Sequence, residues 1–165
     1  RLDPAAIPLA RHDVDTGAVA LDTTRLAAGL PATFGAVSMG NPHAIFFVAD
    51  VDAHELERVG PILETDPVFP ERANISLVAL AGTDHLIQRV WERGAGLTLA
   101  CGSGACAAAV AAHRAGLTGR SVRITLPGGD LAITWRADGH VEMSGGTATA
   151  FSGRLDPSLL ARRDG

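Results

Sequence analysis

The chain contains no lysine and no tyrosine; all 14 of its basic residues are arginine. Without lysine it cannot form the Schiff base that holds pyridoxal phosphate, and without tyrosine it has no phenol to act as acid or base. Charged residues are only 19% of the 165, the net charge is -4, and the arginines are scattered. That argues against nucleic acid as the main partner. No apolar run approaches the ~20 residues that cross a bilayer, and no signal peptide is visible, so no membrane partner is expected. The two cysteines lack framework spacing, which points to a reducing, cytoplasmic setting. The six histidines show no ligand spacing, and Cys101 and Cys106 are poorly spaced for zinc, so no metal is expected. With 47% hydrophobic residues, one domain with a sizeable core remains the simplest reading. The chain opens on Arg1 rather than methionine and reads as a piece of something longer.

The most informative stretch that is present begins Ala100-Cys-Gly-Ser-Gly-Ala-Cys-Ala107 and continues through small apolar residues to Ala112. Cys101 stands before a glycine-rich turn that launches a helix. Unpaired N–H groups at a helix start favour negative charge, so a thiol pKa below the free value of ~8.5 is expected. The same groups can hold a carboxylate or phosphate. Cys106 would lie about 7.5 Å further along the axis and roughly 140° around it, too far to bridge to Cys101; it reads as core packing. Gly102, Gly104 and Ala107 imitate a dinucleotide fingerprint. That motif needs a βαβ unit and an acid about 20 positions on; the residues there hold no acid, and the neighbouring strands read as antiparallel.

The pattern places strands at 33–39, 44–49, 74–81, 85–92, 97–100, 121–126, 130–136 and 140–144, with a last strand at 147–152. Residues 1–32 are weakly patterned, with short strands and a turn at 23–30. Asp52 with Glu55 reads as a capping box opening a helix that ends at Val59, where Gly60-Pro61 breaks it. A second helix spans 103–115, with Gly116 beyond its end. Gly128-Gly129 and Asp138-Gly139 mark hairpins. The second helix is apolar all round before His113, hence buried. The expected fold is α+β: a curved, mostly antiparallel sheet wrapped around a central apolar helix, with one domain over 1–156 and a flexible tail at 157–165.

Other polar candidates sit at strand ends. By position alone, Asn41 and His43 read as a turn asparagine and a surface histidine, Asn74 as a turn cap, and Glu92 with Arg93 as an exposed charged pair. A cysteine-nucleophile hydrolase would need a histidine near Cys101, and His43 is the candidate.

Four motifs change their weight: Met39-Gly-Asn-Pro-His43, Phe69-Pro-Glu-Arg-Ala-Asn74, Trp91-Glu-Arg-Gly-Ala-Gly96 and the run at Ala100–Ala107. In order and spacing they resemble the diaminopimelate epimerase family, over its C-terminal half. The resemblance implies an isomerase that needs no cofactor and inverts one α-carbon of LL-2,6-diaminopimelate to give the meso isomer, on the route to lysine and peptidoglycan. It implies a missing N-terminal domain carrying a second cysteine at a helix start. It makes Cys101 one of two acid/base thiols, with His43 and Glu92 a polar pair near the reacting amino group. The Gly102 and Ser103 backbone would hold the reacting carboxylate, and Asn41, Asn74 and Arg93 would clamp the distal end. Leu97 stands where many relatives carry glutamate, and Ile75-Ser76 departs from a common Val-Asn. The resemblance also implies that residues 147–156 pack on the missing domain. Apolar surface left bare there favours self-association, for example as a homodimer. Competing readings are a related cofactor-independent racemase, of the proline racemase or phenazine-biosynthesis type, and a non-catalytic anion-binding module.

Overall fold

A computed structural model describes residues 1–22 and 30–159. Its elements, in chain order, are β1 Val19–Ala20, β2 Thr33–Ser38, β3 Pro42–Phe47, α1 Leu56–Glu64, β4 Asn74–Gly82, β5 His85–Glu92, β6 Gly96–Thr98, α2 Gly102–Arg114, β7 Ser121–Leu126, β8 Gly129–Trp135 and β9 Val141–Gly145, then a short 3-10 turn at Pro157–Leu159. The class is α+β, mostly strand, with two helices on an open sheet ordered β1-β2-β3-β4-β5-β7-β8-β9; β6 pairs with β5 alongside that path.

Among the described residues, six of the eight pairings are antiparallel. The sheet is mostly antiparallel, as the hairpin signals imply, and the two parallel pairings are additions to that reading. β3 pairs parallel with β4 across α1, and β5 with β7 across α2. A parallel return needs a connection long enough to carry a helix, and both connections do. So α2 does bridge a parallel pair, contrary to one ground for setting the dinucleotide motif aside. The other ground stands: no acid lies about 20 positions on. The strand just before α2, β6, is also antiparallel to its neighbour.

The two helices serve opposite faces. Alternation along β2, β3 and β4 sends Phe34, Ala36, Ala44, Phe46, Ile75 and Leu77 into one core with Leu56, Val59 and Leu63 of α1. Val37, Ile45 and Val78 join Leu86, Ile124, Ile133 and the alanines of α2 in the other. Strands covered on both faces read as nearly continuous apolar runs, which is what β2 to β4 show. β7 alternates buried and exposed instead. α2 touches strands from both halves of the sheet, β2, β3 and β4 on one side and β7, β8 and β9 on the other. Its alanines let the strands come close, and Ala105 and the stretch from Ala107 to Ala112 are buried, as the apolar pattern requires.

Several boundaries move. β3 begins at Pro42, two residues before the expected start, because Met39–Asn41 turns tightly, with Gly40 at φ +103°. A proline is tolerated at the first residue of a strand. α1 neither starts at Asp52 nor ends at Val59. Glu55 occupies its N-cap without a side-chain bond, and Pro61 lies inside the helix. Gly60 is there for packing rather than termination: a Cβ on it would lie 2.6 Å from the Trp91 ring. α2 ends as expected. Gly116 has φ +72° and donates to His113 O, and Leu117 N donates to Ala112 O, the paired bonds of a Schellman cap. The strand expected at 147–152 is absent: residues 146–156 are exposed and lack regular structure. Most of the expected turn at 23–30, and the tail beyond 159, lie outside the described residues.

Candidate active site

Polar residues on the α2 side of the sheet gather at one end of that helix. His43, the second residue of β3, pairs in register with Asn74, which opens β4; Glu92 closes β5. Cys101 is the N-cap of α2, in extended conformation at φ -139° and ψ 102°, and is 6% exposed. Gly104 follows as a close-approach glycine, since a Cβ there would lie 3.2 Å from Cys101 Sγ.

A polar chain runs from the sulfur into the sheet. Cys101 Sγ lies 3.5 Å from Ser103 Oγ, and Asn41 Nδ2 donates to the same hydroxyl at 3.5 Å. Asn41 Oδ1 lies 3.0 Å from His43 Nε2. An amide oxygen only accepts, so Nε2 carries the proton and Nδ1 is bare; it is buried with no partner. His43 is fully enclosed rather than a surface histidine. Burial first, and the charge of Arg93 second, push its pKa down to about 4, so the ring is neutral at ordinary pH.

The thiol reverses one expectation. Burial pushes the Cys101 pKa up rather than down. Bonds from Ser103 and from the Gly104 N–H pull the other way, as a helix mouth should. The negative charge of Glu92 adds to the rise. Desolvation outweighs the helix start because the sulfur is sunk among packed residues. Glu92 is also held by Thr98, whose hydroxyl donates to it at 2.6 Å. Cys106 is only half-buried, at the margin of the α2-side core, and not a core residue proper.

Asn74 and Arg93 sit at the same strand ends in more structural settings. The Asn74 amide donates to Pro42 O and accepts from the Arg93 N–H, both at 2.9 Å, stapling β3, β4 and the end of β5. Arg93 is exposed, and its Nη1 donates to Glu71 O at 2.9 Å. Gly102 and Ser103, half-buried, form the first turn of α2; Met143 of β9 lies over Gly102, its sulfur 3.1 Å from where a Cβ would stand. Clefts elsewhere, such as the one of about 370 Å³ between β5 and the end of β7, do not include Cys101. Among the described residues no cluster of His, Cys, Asp and Glu could hold a metal ion.

Two features escaped the sequence reading. Glu64, 6% exposed at the end of α1, accepts from Trp91 Nε1 at 2.7 Å, from Gly94 N at 3.1 Å and from Arg72 at 3.5 Å. It ties the Arg93-Gly94 turn to α1. Ser76 and Gln88, both fully enclosed, bond to each other at 2.8 Å on the α2 side. Polar residues at inward positions of β4 and β5 were the available signal.

The fold and site define an α+β protein with a thiol at the mouth of a buried helix, ringed by neutral and acidic hydrogen-bonding groups. The family model described as diaminopimelate epimerase matches residues 35–151. Diaminopimelate epimerase of Rhodopseudomonas palustris (strain BisB5) is 55% identical over 157 residues, covering 94% of this chain and 54% of that protein. That of Methylocella silvestris is 53% identical over 162 residues, covering 98% and 56%. A solved phenazine biosynthesis protein of the PhzF family from Bacillus anthracis overlaps 67% of the chain and 37% of its own, at 24% identity and a TM-score of 0.46. This chain belongs to the diaminopimelate epimerase family, and it spans about half the length of the curated relatives it matches.

Proposed function

We propose that this chain is the half of a diaminopimelate epimerase that supplies one of two acid/base thiols, for a cofactor-independent interconversion of LL- and meso-2,6-diaminopimelate. Its place is the cytoplasmic route to lysine and peptidoglycan. The observation that carries the reading is Cys101 at the N-cap of α2, its sulfur beside Ser103 and facing Glu92. Asn41, with His43 behind it, and Glu92 stand at the same helix mouth.

In the reaction one thiolate removes the α-proton, and a thiol on the opposite face returns one. The carbon is planar between the two transfers, and its charge spreads into the carboxylate. The Gly102 and Ser103 N–H groups stabilise that charge. The buried sulfur favours the protonated form, which suits the proton-donating role in one direction; substrate binding and the helix N–H groups assist ionisation in the other. Neutral His43 acts through Asn41, while Glu92 faces the reacting amino group. Arg93 offers a guanidinium fork to the distal carboxylate, and Asn74 holds Arg93 in place.

The second thiol belongs to an N-terminal domain on the far side of the substrate. Cys106 cannot replace it, because it lies on the same helix as Cys101. That domain would cover exposed Leu97, Leu99 and Met143 around the helix mouth. With that surface bare, the chain alone self-associates and does not epimerise. The test is solvent deuterium incorporation at the α-carbon of diaminopimelate. Exchange by the chain joined to an N-terminal half, lost on Cys101→Ala, is expected. Turnover by the 165 residues alone would overturn the split site, and no exchange in either case would leave an anion-binding module.

A further inference from the structure

Gln88 is a buried polar side chain that the reaction outlined above leaves unused. It stands within β5, fully enclosed. Its Nε2 donates to Ser76 across the β4–β5 pair, while its Oε1 meets no donor. An apolar side chain, like the neighbouring Leu86 and Val90, would carry no such burden.

What the amide faces is fixed by Gly104. A Cβ built on Gly104 would lie 3.2 Å from Gln88 Nε2 and 3.2 Å from Cys101 Sγ. Both the amide nitrogen and the sulfur border the space that the bare glycine leaves open. An amide nitrogen carries two hydrogens, and Ser76 takes only one.

We propose that Gln88 is a positioning residue for Cys101, its second amide hydrogen supporting the sulfur when the thiol has given up its proton. This rests on the reading above, in which Cys101 passes between thiol and thiolate. A neutral donor is the fitting device at this spot. It offsets part of the burial without adding a charge that would disturb Glu92. The orphaned Oε1 then has a reason: the nitrogen end is kept turned to Ser76 and to the sulfur, and the carbonyl goes without. The titratable groups bearing on the sulfur are Glu92 from β5 and Cys106 along α2, with His43 and Arg93 beyond Asn41; only Cys106 is changed in the test, and equally in every protein compared.

The test is the pH dependence of Cys101 alkylation by iodoacetamide in the 165-residue chain, made in a Cys106→Ser background. Gln88→Met keeps length and removes the donor. Its midpoint is expected to rise by about one pH unit, an about ten-fold slower reaction below the midpoint. Ser76→Ala loosens the amide and moves the midpoint the same way by less. A folded Gln88→Met protein with an unchanged profile overturns the proposal. Where that variant does not fold, an unchanged profile in Ser76→Ala does so. Alkylation needs no turnover, so a displaced profile, with no deuterium exchange by the chain joined to an N-terminal half, would sink the epimerase reading and leave the Gln88–Cys101 coupling standing.

Discussion

Two buried polar clusters sit on opposite faces of the same sheet, and they are built to different standards. On the α1 face, the Glu64 carboxylate takes bonds from Trp91, Gly94 and Arg72. On the α2 face, His43 Nδ1 and Gln88 Oε1 are enclosed without partners. Folding rewards the first arrangement and tolerates the second only at a cost. The difference separates a staple from a site: satisfied groups hold the frame, and under-satisfied ones wait at the mouth of α2.

Glu64→Ala should break that comparison most sharply. It strips three donors of their acceptor, and a loss of ~3 kcal/mol is expected in urea denaturation. The alkylation profile of Cys101 should stay where it was. A profile that moved as far as the stability would mean the two faces are one unit.

Acid should act on the other face. His43 is neutral when folded, with its pKa near 4, and ordinary when unfolded, so unfolding takes up a proton in between. Its contribution is intact above about pH 6.5 and drains away as pH falls toward 4, by up to ~3 kcal/mol. His43→Gln should flatten that part of the stability curve. An unaltered slope would show that the acid sensitivity lies elsewhere.

Gly60→Ala gives a smaller effect. Alanine favours a helix by ~1 kcal/mol over glycine. Its Cβ, however, meets the Trp91 ring at 2.6 Å, and that ring is tethered to Glu64. Overpacking wins, and a net loss of about 1–2 kcal/mol is expected in thermal melts. Cys106→Ser, half-buried at the margin of the core, should change stability by less than ~0.5 kcal/mol.

Much of this was legible in the chain itself. Hairpins at Gly128-Gly129 and Asp138-Gly139, the all-apolar α2 and its Gly116 cap follow from short-range rules, and the structure holds each of them. The candidate site residues stood out as motifs, because fixed spacing survives without coordinates. Their surroundings were not. Position alone made His43 a surface residue and Glu92 as exposed as Arg93, since a sequence does not say which strand end lies under which helix. Glu64 and Gln88 gave only the faint signal of a polar residue at an inward position.

The sequence by itself determined where the thiol falls: at the start of a helix whose small side chains must be buried. Only the tertiary structure decided what surrounds that thiol. Two parallel crossovers place α1 and α2 on opposite faces, and that placement sinks the sulfur, raises its pKa and sets Gln88 and His43 near it. The physical reason is range. Helix starts, turns and caps are settled by residues a few positions apart, whereas desolvation depends on every strand that closes over the group.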